Sequence, residues 1–149
     1  MLTNSGQRKE TNMIAQYLWI AGSLPFILLG TIHLLYTFFT NKFSSVNTVV
    51  DEAMKRNHPV LTRKTTMWKA WIGFNASHSA GAIYIGLINL FLGIEHFAII
   101  KKPEVMVLNI VTVLFYLWLA KKYWFTTPFK GMLVATICFI VAAVIILIN

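Results

Sequence analysis

The sequence predicts an all-α membrane protein: an antiparallel bundle of four transmembrane helices with a short amphipathic surface helix in the first loop. Apolar residues make up 57% of the 149 residues and charged residues only 12%, whereas soluble domains average about 45–50% and about 25%. A spanning helix needs roughly 17–25 apolar residues. Four segments reach that length, the third with help from snorkelling lysines, and they fill a single transmembrane domain: 13–39, 66–94, 105–123 and 129–148.

The first predicted span, 13–39, follows a polar stretch, 1–12, which we expect to be a short mobile tail. Pro25 in the middle of the span removes a backbone hydrogen bond and favours a kink. Gly30, His33 and Thr37 recur at helical spacing and therefore share one face of the helix. We expect this face to point into the bundle, because an imidazole facing lipid would lack a partner.

The long first loop carries the predicted surface helix, 45–57. Its apolar residues repeat at helical spacing opposite charged residues, so we expect it to lie on the membrane surface or to cover the mouth of the bundle. Two i, i+4 ion pairs, Asp51 with Lys55 and Glu52 with Arg56, should support it. After the helix, two cations are expected to contact lipid headgroups and Thr66 is expected to cap the second span. The headgroup residues are Arg63 and Lys64.

The second span, 66–94, carries Asn75, His78 and Gly81, which are spaced three residues apart and so lie roughly on one helix face. His78 comes about 13–14 Å after Lys69 along the helix, and His33 about 12 Å before the end of the first span, at 1.5 Å per residue. Antiparallel neighbours would therefore place both imidazoles at nearly one depth. Ionisable side chains within a membrane are costly, and they usually mark a functional site.

Three interpretations of these polar residues stay open. In the first, the histidines and Asn75 only tie helices together by hydrogen bonds. In the second, they line a pocket for a lipophilic ligand, where His33 or His78 acts as acid or base. Side chains that would orient or wall that ligand are Tyr36, Thr37, Trp68, Trp71, Asn75 and Gly81. In the third, His33 and His78 ligate a haem b iron, with Gly30 and Gly81 leaving room for the macrocycle.

The connections predict the topology. Residues 95–104 should form a short turn, and Pro128 suits the first turn of the last helix. Nine of the 13 basic residues fall in the first and third loops, so the positive-inside rule places these loops in the cytoplasm and both termini outside. The net charge of +8 is then explained by topology and anionic lipid, not by nucleic acid.

Other sites are disfavoured by what the sequence lacks. The single cysteine, Cys138, cannot form an intrachain disulfide, and the spacing of His and Cys predicts no metal site. No acidic residue lies within a span, which argues against a carboxylate-driven ion transporter. The working hypothesis is a small membrane protein that binds a lipophilic ligand. The alternative is a non-catalytic accessory subunit of a larger membrane complex, with or without haem.

Three segments resemble a family of small bacterial integral membrane proteins with four predicted spans. They begin at Gly30, Thr62 and Ala120, and read GTIHLLYTF, TRKTTMWKAWIGFNASHSAG and AKKYWFTTP. The resemblance covers most of the chain and implies four spans with these motifs paired, but no activity. The layout is also similar to that of DoxX-like proteins and the sterol-isomerase-type four-span fold, as architecture only.

Overall fold

The computed structural model describes residues 4–148, and this part of the chain is helical without strands. The six helices are α1 (Asn4–Phe39), α2 (Thr48–Arg56), α3 (Met67–Glu95), α4 (Phe97–Ile100), α5 (Pro103–Tyr123) and α6 (Thr126–Ile148). Four of them, α1, α3, α5 and α6, are long and apolar enough to cross a membrane. The predicted all-α class with four long apolar helices is therefore confirmed, and the protein is an integral membrane protein.

The helix boundaries differ from the predicted ones in three places. α1 begins at Asn4, so the described part of the predicted tail is helical; the hydroxyl of Thr11 and the amide of Asn12 donate to carbonyls one turn earlier. α2 begins at Thr48 because Asn47 caps it, its side chain accepting from the Val49 N–H at 3.0 Å. The predicted turn at 95–104 contains the short helix α4.

One of the two ion pairs predicted for α2 is present, and the other is replaced. Glu52 pairs with Arg56 at 3.9 Å, as expected, and also with Lys55 at 2.9 Å. Asp51 does not pair with Lys55; its carboxylate accepts the N–H of Ser45 at 2.9 Å. A carboxylate near the start of a helix is well placed to satisfy a nearby backbone N–H. Because Asp51 accepts this local bond, Lys55 pairs with Glu52 instead.

The chain forms two compact units, one containing residues up to Leu29 and from Tyr84 onward, the other Gly30–Ile83. In the first unit, α1 runs antiparallel to α3 and to α6. Against α3, Gln16 contacts Gly93 and Trp19 contacts Asn89. Against α6, the fully buried Trp19 meets Phe139 edge to face, with ring centroids 5.0 Å apart.

Small residues allow the helices of the first unit to approach closely. A Cβ added at Gly86 of α3 would stand 2.6 Å from Cγ1 and 2.9 Å from the backbone N of Ile27 on α1. Gly131 of α6 similarly faces Leu29, and an added Cβ would clash with its Cδ1. Lipid is as apolar as leucine, so close van der Waals packing of this kind holds membrane helices together.

Several hydroxyl side chains within the long helices bond to carbonyls of their own helix. Each donates to a carbonyl three or four residues earlier, a bond that removes the need for a partner on another helix. The hydroxyls that do so are those of Ser23, Thr37, Ser77, Ser79, Thr112 and Thr136. Bonds between helices are therefore made by other polar side chains.

The second unit consists of the end of α1, the first loop with α2, and the beginning of α3. Here too α1 and α3 run antiparallel, since Gly30 faces Ser79 and Ile83 while His33 contacts Asn75. The hydroxyl of Thr66 caps α3 as predicted, accepting from the Lys69 N–H at 3.2 Å.

Candidate functional site

His33 of α1 and Asn75 and His78 of α3 come together in the second unit. Nε2 of His33 lies 2.9 Å from Oδ1 of Asn75. The two imidazole rings meet edge to face, with centroids 5.6 Å apart and planes at 70°. All three side chains are half-buried. The i, i+3 spacing of Asn75 and His78 turns both toward α1, and the antiparallel pairing brings His33 to their level.

The hydrogen bonds of Asn75 determine which nitrogen of His33 carries the proton. Nδ2 of Asn75 donates to the carbonyl of Trp71 at 2.9 Å, so its Oδ1 faces His33 and must accept. Nε2 of His33 is therefore the donor. In the neutral ring, Nδ1 then holds the lone pair. Asn75 thus makes His33 a base and hydrogen-bond acceptor at Nδ1.

Phe43, in the first loop, belongs to this cluster although the sequence analysis did not identify it. Its ring packs on that of His33, with centroids 4.4 Å apart and planes at 34°. The indole N–H of Trp71 donates to the Phe43 carbonyl at 3.2 Å and holds the loop in place. A signal was available, since Phe43 is an apolar residue just beyond the end of the first span, but only the loop conformation brings it back over His33.

The other predicted ligand residues differ in how they relate to the cluster. Trp71 is 41% exposed and beside it. Tyr36 is also 41% exposed, and within residues 4–148 no hydrogen bond or ring contact joins its side chain to His33. Thr37 is buried, with its hydroxyl on the His33 carbonyl at 2.8 Å. The structure thus places Tyr36 and Thr37 outside the set of groups that meet at the imidazoles.

Trp68 and Gly81 complete the predicted set. Trp68 is half-buried and stands under the ammonium of Lys55, which lies 5.5 Å from the ring centroid. It therefore joins α2 to α3, and its contact with a ligand stays a prediction. Gly81 lies one turn beyond His78 and is half-buried. The two predicted headgroup residues, Arg63 and Lys64, are exposed in the loop between α2 and α3.

A haem b group does not fit these residues as they are arranged. Ligation needs a nitrogen lone pair from each histidine and room for the macrocycle. Nε2 of His33 donates to Asn75, so the lone pair of this ring lies on Nδ1, the nitrogen beside the Cβ attachment and the more crowded one for a ligated macrocycle. The space beside Gly30 is filled, because an added Cβ would lie 2.9 Å from Cγ1 of Ile83 and 3.1 Å from the Ser79 carbonyl oxygen. Residues 4–148 contain no group of three or more His, Cys, Asp or Glu side chains able to hold a metal ion.

The chain was compared with protein-family models, with curated proteins and with solved structures. None of the three comparisons found a match. The family resemblance of the three segments therefore stays a prediction, and the function has to be argued from the residues themselves.

A second group of polar side chains, which sequence reasoning missed, lies in the first unit. The indole N–H of the fully buried Trp19 donates to Oδ1 of Asn89 at 2.9 Å. Gln16 donates to the carbonyl of Gly93 at 2.8 Å and so satisfies a carbonyl in the last turn of α3. Nδ2 of Asn109 is buried and has no hydrogen-bond partner within residues 4–148. The signal was available, because Gln16, Asn89 and Asn109 are amides inside predicted spans.

Proposed function

We propose that this protein binds a lipophilic small molecule at the cluster formed by His33, Asn75 and His78. The observation that carries the proposal is the orientation of His33, whose Nε2 is committed to Asn75 while its Nδ1 keeps a lone pair within an apolar helix pair. A purely structural tie between α1 and α3 would need only the His33–Asn75 bond. The second imidazole meets the first edge to face and adds another polar group at the same level.

The ligand that suits this arrangement is apolar and carries one hydrogen-bond donor, such as a hydroxyl. The donor would bond to Nδ1 of His33. The exposed aromatic face of Trp71 and the ring of Phe43 would contact its hydrocarbon. Removal of a proton from the bound hydroxyl by His33 is the acid–base step open to this group.

Orientation in the membrane follows from charge. Under the positive-inside rule the first and third loops are cytoplasmic and both termini lie outside, in a membrane we propose to be a bacterial inner membrane. The imidazole cluster then lies in the cytoplasmic half of the bilayer. Its ligand would enter from the lipid or past Phe43.

The proposal is tested by photo-crosslinking. The detergent-purified protein is incubated with a long-chain alcohol bearing a diazirine, irradiated, and digested for mass spectrometry. Labelling is expected on α1 and α3 around His33 and His78, competed by unlabelled long-chain alcohol. His33→Ala removes the acceptor of the ligand hydroxyl and should reduce labelling at least about tenfold, corresponding to loss of roughly 1.4 kcal/mol of binding, and His78→Ala should reduce it as well.

The matched control is His96→Ala, because His96 is an exposed histidine outside the cluster. It should leave labelling unchanged. Equal labelling of wild type and His78→Ala, with only lower stability in the variant, would favour the structural tie or the accessory-subunit alternative. An absorption spectrum of the protein purified with haem available tests the remaining alternative. A Soret band that is lost in His33→Ala and in His78→Ala would overturn the present assignment.

A further inference from the structure

We infer that the first loop is a binding surface for anionic phospholipid, with α2 embedded at the boundary between headgroups and acyl chains. This inference does not depend on the ligand proposed for His33. It concerns α2 and the segment from Asn57 to Thr66, together with Val46 before the helix. The binding partner is the layer of lipid phosphates on the side of the membrane where α1 ends and α3 begins.

α2 is a defined helix although none of its residues is buried. Asn47 caps its start. At its end, the N–H and the side-chain amide of Asn57 both donate to the Ala53 carbonyl, at 2.9 and 2.8 Å. The carbonyl of Asn57 accepts the Met67 N–H at 2.8 Å, which ties α2 to the first turn of α3. The helix is therefore held beside the start of a membrane span.

Several apolar side chains of this loop are uncovered. Val49 is 70% exposed, and Val46, just before the N-cap of α2, is fully exposed. Val60 and Leu61, after the helix, are 106% and 93% exposed. Side chains this apolar would be costly in water at both ends of the loop, and they favour insertion between lipid headgroups.

The charges of the loop complement a phosphate surface. Six basic residues lie between Phe39 and Ala70 against two acidic ones. Both acids are used internally, Asp51 on the Ser45 N–H and Glu52 on Lys55 and Arg56. The remaining cations have no carboxylate within 4 Å in the described part of the chain. They are Lys42, Arg63, Lys64 and Lys69.

The location of the first loop favours lipid over other anions as its binding partner. Phe39 ends α1 and Met67 begins α3, so both ends of the loop are fixed at the membrane boundary. Uncovered apolar residues beside unpaired cations at that level match an interfacial helix bound to anionic lipid. A nucleic acid would match the cations but not the valines.

The test places a depth-sensitive probe on α2. Val49→Cys, in a Cys138→Ala background because Cys138 is the only native cysteine, is labelled with an environment-sensitive fluorophore. The full-length protein is reconstituted in phosphatidylcholine vesicles with and without phosphatidylglycerol. Quenching by lipids carrying a shallow nitroxide measures embedding, and quenching by acrylamide measures exposure to water. Phosphatidylglycerol is expected to increase the first and decrease the second.

Arg63→Gln with Lys64→Gln should lower the ratio of embedded to water-exposed probe at least about fivefold in the phosphatidylglycerol vesicles. The matched control removes the same charge from the second loop, with Lys101→Gln and Lys102→Gln, and should change nothing at Val49. A probe that acrylamide quenches equally in both vesicles would overturn the inference and leave α2 facing water. The inference would also be overturned if the probe were embedded to the same extent with and without phosphatidylglycerol and in the Arg63→Gln, Lys64→Gln variant. Because neither readout involves His33 or His78, failure here leaves the ligand proposal standing.

Discussion

Replacing Gly86 by alanine should destabilise the first unit through one close contact. An added Cβ would stand 2.6 Å from Cγ1 of Ile27 and 2.9 Å from its backbone N. The Ile27 side chain can rotate away, but its backbone can move only if α1 moves. Overpacking of this kind costs about 1–3 kcal/mol. The higher helix propensity of alanine returns at most about 1 kcal/mol.

Gly73 supplies the matched control, because an added Cβ there has no neighbour within 4 Å. Gly73→Ala keeps the propensity gain without the clash, so the difference between the two variants isolates the packing cost of about 1–3 kcal/mol. It is measured by unfolding both proteins in mixed micelles with increasing mole fraction of sodium dodecyl sulfate, followed by circular dichroism. Equal midpoints for the two alanine variants would refute the close approach of α1 and α3.

Three further predictions concern polar side chains. Trp19→Phe removes the donor to Asn89 and leaves a buried carbonyl oxygen, so the same unfolding assay should show a loss of about 1–2 kcal/mol; an unchanged midpoint would contradict the bond. Asn109→Leu should instead stabilise by about 1–3 kcal/mol, because it removes a buried Nδ2 that has no hydrogen-bond partner within residues 4–148, and a destabilised variant would show that this nitrogen is satisfied. Lys55 donates a hydrogen bond to Glu52 and adds an attractive charge, and together these lower the pKa of the Glu52 carboxyl. The stabilising contribution of this pair is therefore present above the ordinary pKa of the carboxyl and is lost as the pH falls through the lowered pKa. Lys55→Gln should therefore raise the Glu52 pKa toward its ordinary value in a carboxyl NMR titration, and an unchanged pKa would argue against the pair.

The four long helices could be predicted from the sequence because length and hydropathy decide a membrane span almost without tertiary information. Their ends were less predictable. α1 extends back to Asn4 through residues that look like a polar tail, because helix propagation costs little once the span has formed. α2 starts at Thr48 because a single side chain, Asn47, satisfies the first free N–H.

The candidate site was predictable only where the spacing along helices decided it. His33, Asn75 and His78 follow from spacing and antiparallel pairing. Phe43 does not, since its position over His33 depends on how the loop folds back and on the indole of Trp71. Tyr36 and Thr37 share a helix with His33, but spacing does not show that the Thr37 hydroxyl turns back to its own helix.

The self-satisfied hydroxyls have a consequence for how the protein is made. A helix whose serines and threonines already bond to their own carbonyls can leave the translocon for the bilayer as an independent apolar rod. The hydrogen bonds between helices are different. His33 can bond to Asn75, and Trp19 to Asn89, only after α1 and α3 have packed together. In this sequence the hydroxyl side chains therefore permit insertion, whereas the side chains that bond between helices act in assembly. Exchanging hydroxyl residues for alanine should leave both steps intact, whereas exchanging the amides should yield helices that insert and then pair poorly.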